Sequence, residues 1–186
     1  MEVKCFMIEP MATGPQWLRR YASGDCGGRR YHNAMIRIGD CKILTGADGC
    51  ISPERPEYPR DDPRWPRSCE ACGRPFEDRD EWQLFYEQWY RMPDGSSVCI
   101  RWDLPGVPHA PPGAMWYSDW YWRKGPDGRC LSVILPDGVT WMIDGPSNSG
   151  GDGWTREGAP PLVTANPSIL TAGYHGWLRS GVLIEC

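Results

Sequence analysis

Long helices have little room in a chain broken this often by proline and glycine. The 186 residues hold 19 Pro and 22 Gly, and each proline removes a backbone donor while each glycine weakens a helix interior. The same backbone must bury 11 Trp against only 3 Phe. Large flat side chains on a frequently turning backbone favour short strands and structured loops. At this length one compact unit is the default expectation. The sequence therefore reads as a single domain over residues 1–186, with an N-terminal part to residue 76, a middle part over 77–128 and a C-terminal part over 129–186. The expected class is α+β, mainly β: short strands and hairpins, one amphipathic helix and a zinc-knuckle-like loop.

Residues 3–8 and 34–38 are apolar runs bounded by Gly, Pro or Asp and read as strands, with a loop at Gly24-Asp25-Cys26-Gly27-Gly28 between them. Residues 41–67 lack periodicity, and the arm over 52–67, PERPEYPRDDPRWPR at its heart, reads as an extended surface connection. Residues 77–92 carry the one helical period, with Trp82, Phe85, Tyr86 and Trp89 on a shared stripe, Asp80 as its cap and Pro93-Asp94-Gly95 as its stop. A helix laid on a sheet accounts for that stripe more simply than a binding face. Further on, MWYSDWYW sets five aromatic residues in eight positions. In the C-terminal third, residues 130–135 and 139–143 flank Pro136-Asp137-Gly138 as one hairpin, and residues 174–184 form a second around Arg179-Ser180-Gly181. The Gly/Ser/Pro stretch over 145–161 reads as a long loop of the kind that is often functional.

The most specific chemical signal is Ser68-Cys69-Glu70-Ala71-Cys72-Gly73-Arg74-Pro75-Phe76. In this Cys-x2-Cys knuckle the following glycine permits the tight turn that points backbone amides at the thiolates. Two thiolates are half of a closed structural Zn²⁺ site. Cys26 and His32, bracketing a Gly-rich loop, are the first choice for the other half, and Cys41 with Cys50 the second. The plain alternative is a pair of free thiols. A thioredoxin-like redox role is disfavoured, because a Pro-rich loop precedes the pair and Gly-Arg-Pro follows it, where a strand and a helix would be needed. Nine cysteines are too sparse for a disulfide scaffold; the remainder are expected as buried thiols, with Cys186 available for cross-linking in an oxidising medium.

Other chemistry is thinly supported. Asp144 and His175 are candidates for an acid–base pair with Ser147 or Ser168 as nucleophile, yet no G-x-S-x-G context accompanies them, and structural roles are favoured. His109, between prolines, is expected to be exposed. The glycines over 145–153 lack the Lys and the helix that phosphate binding requires. The net charge of −4, without any basic block, argues against nucleic acid as partner. The N-terminal MEVKCFMIEP has neither the basic nor the apolar region of an export signal, and no window approaches a membrane span.

The segments GDC…YHNAMI, SCEACGRPF and LPDGVTWMIDGP…NPSILTAGYHGWLRSGVL together resemble uncharacterised proteins of tailed bacteriophages and prophages. That resemblance covers most of the chain and implies a phage origin without assigning an activity. The expectation is a non-enzymatic protein acting through protein–protein contacts, a virion accessory or capsid-associated component, with Trp65, Trp116, Trp120 and Trp122 as contact candidates. The alternative is a small zinc-binding modulator of a host protein. Its expected place is the host cytoplasm or the virion.

Overall fold

The computed structural model of the chain describes residues 1–45, 51–53, 60–101, 107–118, 121–146 and 153–186; among them all regular structure is strand, and no helix occurs. None of the described residues forms a helix long and apolar enough to cross a membrane. The chain divides into two compact units, one comprising Met1–Met11, Thr45–Ile51 and Trp89–Cys186, the other Ala12–Leu44 and Ser52–Gln88.

The second unit is built on one long antiparallel hairpin, Thr13–Cys26 with Arg29–Thr45. Gly27 and Gly28, both at positive φ, turn its tip, and Asp25 Oδ1 accepts the Gly28 N–H at 3.1 Å. The strand Ile51–Pro53 lies beside Arg29–Thr45, and Glu81–Tyr86 pairs with the other side of Thr13–Cys26 from Gln16↔Tyr86 to Tyr21↔Glu81.

This pairing overturns the helix expected over residues 77–92, which instead contains the strands Glu81–Tyr86 and Trp89–Arg91. Two forces decide it. The segment Glu81-Trp82-Gln83-Leu84 also alternates polar and apolar, and aromatic residues favour a pleated surface. A helix here would also leave one edge of Thr13–Cys26 unpaired along six residues' worth of backbone groups. Asp80, expected as the helix cap, faces backwards: its Oδ2 accepts the Glu77 N–H at 2.8 Å and pairs with Arg74 at 3.1 Å.

The first unit stacks three sheets. A five-stranded sheet runs in the order Glu2–Lys4, Val182–Glu185, His175–Arg179, Thr164–Leu170, Thr155–Glu157. A four-stranded sheet runs Thr140–Met142, Leu131–Ile134, Ala114–Tyr117, Phe6–Met7, and a three-stranded sheet holds Glu9–Pro10, Trp89–Arg91 and Ser97–Cys99. Met115, Leu131 and Val133 pack with Ile169, Leu178 and Leu183 of the five-stranded sheet, whereas Trp116, Ala114 and Ile134 pack with Tyr90 and Val98 of the three-stranded one. The four-stranded sheet is therefore a middle layer, and Leu131-Ser132-Val133-Ile134 is buried at every position. Burial on both faces explains an apolar run without alternation. Its single polar member, Ser132, meets Ser118 Oγ at 2.7 Å.

Both C-terminal hairpins expected from the sequence are present. In the first, Gly138 at φ +83° donates to the Leu135 carbonyl. In the second, Ser180 and Gly181 are both at positive φ, the two-residue turn whose twist matches the flanking strands.

An ion cluster, buried at Arg156 and Asp144 and open to solvent at Asp127, ties the middle sheet to the strand Thr155–Glu157. Arg156 Nε donates to Asp144 Oδ1 at 2.9 Å, and its two terminal nitrogens donate to Asp127 at 3.2 and 2.6 Å. Asp144 Oδ2 also accepts the Leu131 N–H at 2.8 Å. Gly125 is required beside them, since a Cβ there would collide with both Arg156 and Asp144. Burial opposes the charge on Arg156, but its hydrogen bonds to Asp127 and Asp144 overcome it and raise its pKa. Replacing Asp144 by Ala leaves a buried guanidinium half-paired and should cost roughly 3–5 kcal/mol in a urea titration. Arg156 holds Asp127 down to about 2. A depressed carboxylate stabilises the fold fully above its unfolded value and loses that contribution on acidification. Unfolding free energy of the wild type should therefore fall more steeply than that of Asp127→Asn as pH drops from about 4 to about 2; equal slopes would remove Asp127 from the acid response.

Candidate metal centre

Four side chains from three segments of the second unit converge at the hairpin tip. Cys26 ends the strand Thr13–Cys26 after a one-residue bulge, which shifts the register between Ser23↔Tyr31 and Cys26↔Arg29. Bulges re-aim side chains, and this one lies beside Gly24 at φ +145°. His32 projects from the partner strand opposite Ala22. Cys69 and Cys72 come from a small hairpin closed by a Ser68↔Pro75 bridge, in which the Cys69 N–H donates to Arg74 O at 2.8 Å and the Gly73 N–H to Cys69 O at 2.9 Å. Gly73 is at φ +73°, the left-handed conformation anticipated for the residue after the knuckle.

The small hairpin is fastened to the backbone of Arg29–Thr45. Glu70 donates its N–H to Asn33 O at 3.1 Å and accepts the Met35 N–H on Oε1 at 2.8 Å, while the Asn33 N–H points at Cys69 Sγ from 3.4 Å. The metal-ligating atoms of Cys26, His32, Cys69 and Cys72 consequently all lie within 4.8 Å of one another and can hold a metal ion. Cys26 and Cys69 sulfurs are 3.7 Å apart, and His32 Nδ1 is 3.2 Å from Cys72 Sγ. The cluster is partly sheltered: Cys26 and Cys69 are buried, His32 is 9% exposed, and Cys72 is exposed.

The thiols do not titrate alike. At Cys69 burial raises the pKa, but the Asn33, Cys72 and Ala71 amides and the His32 side chain outweigh it and bring the thiol down to about 6. Cys26 is pushed up to about 11, first by burial and then by the neighbouring Cys72 and Cys69 sulfurs. Crowded thiols with one member favouring the thiolate form are the arrangement a cation neutralises.

The second-choice pair does not enter this cluster. Cys41 lies in the strand Arg29–Thr45 opposite Gly14, outside the group, and Cys50 falls outside the described residues. No hydrogen bond or ion pair joins Asp144 to His175: the first serves Arg156 and Leu131, and the second is exposed on His175–Arg179. Ser147 lies outside the described residues, Ser168 accepts the Trp154 indole N–H on its carbonyl, and His109 is exposed. Of the four contact candidates, Trp116 is 1% exposed within the core, Trp65 is buried edge-on against Trp82, and Trp122 is 74% exposed. Core burial withdraws Trp116 from any contact surface. Trp120 is outside the described residues.

The support of His32 was missed in the sequence. Its ring lies against Gly24, where an added Cβ would sit 3.1 Å from Nε2. The glycine itself was visible, but its relation to His32 needs the bulge. No protein-family model matches the chain, and no curated protein or solved structure matches it either.

Gly24→Val should displace the imidazole and weaken Co²⁺ binding at least about tenfold, the scale of lost ligand support. Gly27→Asn, with open space around its Cβ position and a side chain tolerated at the left-handed φ of +61°, should leave the Co²⁺ charge-transfer absorption largely intact. Equal loss in both variants would deny Gly24 its role.

Proposed function

We propose that the Cys26, His32, Cys69 and Cys72 cluster holds a structural Zn²⁺, and that the chain is a non-catalytic phage-encoded binding protein working through protein–protein contacts, as a virion accessory or capsid-associated component. The observation that carries the metal reading is the spacing of the donors. Two thiolates bound to one Zn²⁺ at about 2.3 Å and a tetrahedral angle lie about 3.8 Å apart, and the Cys26 and Cys69 sulfurs are at 3.7 Å. A disulfide would need about 2.05 Å. Three sulfurs and one imidazole nitrogen complete four-coordination, the composition of structural rather than catalytic zinc sites, which keep a position for water or substrate.

The same donors connect segments far apart in the chain, so metal binding becomes folding free energy. The binding role is supported by the exposed Trp122, an aromatic of the type enriched in interfaces, and by the phage-like segments noted above. The site supplies a scaffold, and contact with a partner is left to exposed aromatic surface such as Trp122.

Native mass spectrometry of the purified chain, with and without a chelator, tests the metal. One zinc per chain is expected, lost on chelation together with the compact charge-state distribution, and Cys69→Ser should carry less than one. A compact, metal-free chain before chelation would sink the reading. The particle role is tested separately by searching purified virions for the protein.

A further inference from the structure

A second site lies in the same unit, on the legs of the small cysteine hairpin. Arg20, Arg60, Trp65, Arg67, Phe76, Asp78, Asp80 and Trp82 line a cleft of about 140 Å³. Arg20 is 6% exposed and held between rings, its guanidinium carbon 5.0 Å from the centroid of Phe76 and 5.6 Å from that of Trp65. Its terminal nitrogens donate to Pro66 O at 3.1 Å and Glu77 O at 2.5 Å, whereas its buried Nε has no hydrogen-bond partner. A buried unmet donor on a guanidinium is costly, and such groups call for an explanation.

Two more guanidiniums converge here without counterions of their own: neither Arg60 nor Arg67 makes a side-chain hydrogen bond or ion pair among the described residues. Burial is the largest influence lowering the Arg20 pKa; Arg60 and Arg67 add to it, and Asp80 and Asp78 oppose it. Of those two carboxylates, Asp80 is already committed to Arg74 and to the Glu77 N–H. Among the described residues the cleft thus gathers more cationic than available anionic charge beside a buried guanidinium with one unmet donor.

From this arrangement we propose that the Arg20, Arg60 and Arg67 cleft binds a small oxyanion, a phosphate or a carboxylate group. Guanidiniums recognise both through paired N–H donors. The volume of about 140 Å³ is below the roughly 300–1,000 Å³ of pockets that enclose drug-sized ligands, so the site fits the anionic group and excludes a whole nucleotide. Exposed Asp78 at the rim disfavours a highly charged polyanion and restricts the occupant to a single group. The proposal stands on the arginines and does not require the metal to be zinc.

The test is an NMR titration of the full ¹⁵N-labelled chain, reading arginine Nε–Hε resonances at fixed ionic strength, with inorganic phosphate, acetate and chloride as separate titrants. Saturable shifts at Arg20, Arg60 and Arg67, and none at Arg91, which does not line the cleft, are expected with phosphate or acetate and not with chloride. Saturation by phosphate alone or by acetate alone identifies which oxyanion the cleft takes. The double variant Arg60→Gln, Arg67→Gln changes two exposed side chains and should fold; it should weaken binding at least tenfold. Equal shifts with chloride, shifts that never saturate, or unchanged affinity in the double variant would each overturn the proposal. Metal content, measured on the same sample, separates this outcome from that of the metal reading.

Discussion

Among its described residues the second unit has no large packed interior to hold it together. Both hydrophobic clusters among the described residues lie in the first unit, where three sheets stack. The second unit buries Trp17, Leu18, Ala22, Ala34, Trp65 and two cysteines around essentially one sheet. A small unit whose burial is limited needs a covalent, metal or ionic staple to offset chain entropy. The four-donor cluster is placed where such a staple acts best, joining the hairpin tip to a hairpin about forty residues away in sequence, the separation of Cys26 from Cys69 being 43. Closing a loop of that length costs conformational entropy that the backbone bonds of Glu70 to Asn33 and Met35 only partly offset.

How the molecule was legible in its sequence follows from which signals are local. The Cys-x2-Cys-Gly spacing, the Pro-Asp-Gly turn and the Ser180-Gly181 turn are each specified within a few residues, and each is formed as expected. Cys26 and His32 could be chosen because a Gly-rich loop between two strand-like runs brings its flanks together, a consequence of hairpin topology. The stripe of Trp82, Phe85, Tyr86 and Trp89 failed because aromatic residues at spacings of three and four also satisfy a strand once it breaks and restarts. What decided between them was the unpaired edge of Thr13–Cys26, a fact about a segment about sixty residues upstream. The ion cluster of Arg156 was likewise invisible, since nothing local connects Asp127, Asp144 and Arg156; Asp144 was noticed only as half of a pair with His175 that the structure does not form.

Burial explains the two kinds of polar cluster differently. In the first unit the strand Leu131–Ile134 of the middle sheet is buried throughout, so its end groups need partners inside the molecule: Asp144 satisfies the Leu131 amide and Arg156 neutralises Asp144. That cluster is closed, with each guanidinium nitrogen of Arg156 matched to an oxygen, and such closure suits a structural role. In the second unit the Arg20 cluster is open, since one buried nitrogen is unmatched and Arg60 and Arg67 make no ion pair among the described residues. Chemically similar groups therefore point to architecture in one unit and to a ligand in the other.

The two sites of the second unit are mechanically linked. Trp65, Arg67, Phe76, Asp78 and Asp80, which line the anion cleft, lie on the legs of the hairpin whose turn carries Cys69 and Cys72. The Phe76 N–H donates to Arg67 O at 2.8 Å, so the legs are paired directly below the turn. Arg20 bridges them from the long hairpin, reaching Pro66 on one leg and Glu77 on the other. Whatever fixes the turn against His32 and Cys26 therefore fixes the spacing of the arginines and rings below it. By linkage, any effect that an anion in the cleft has on metal affinity must be matched by an equal effect of the metal on anion affinity.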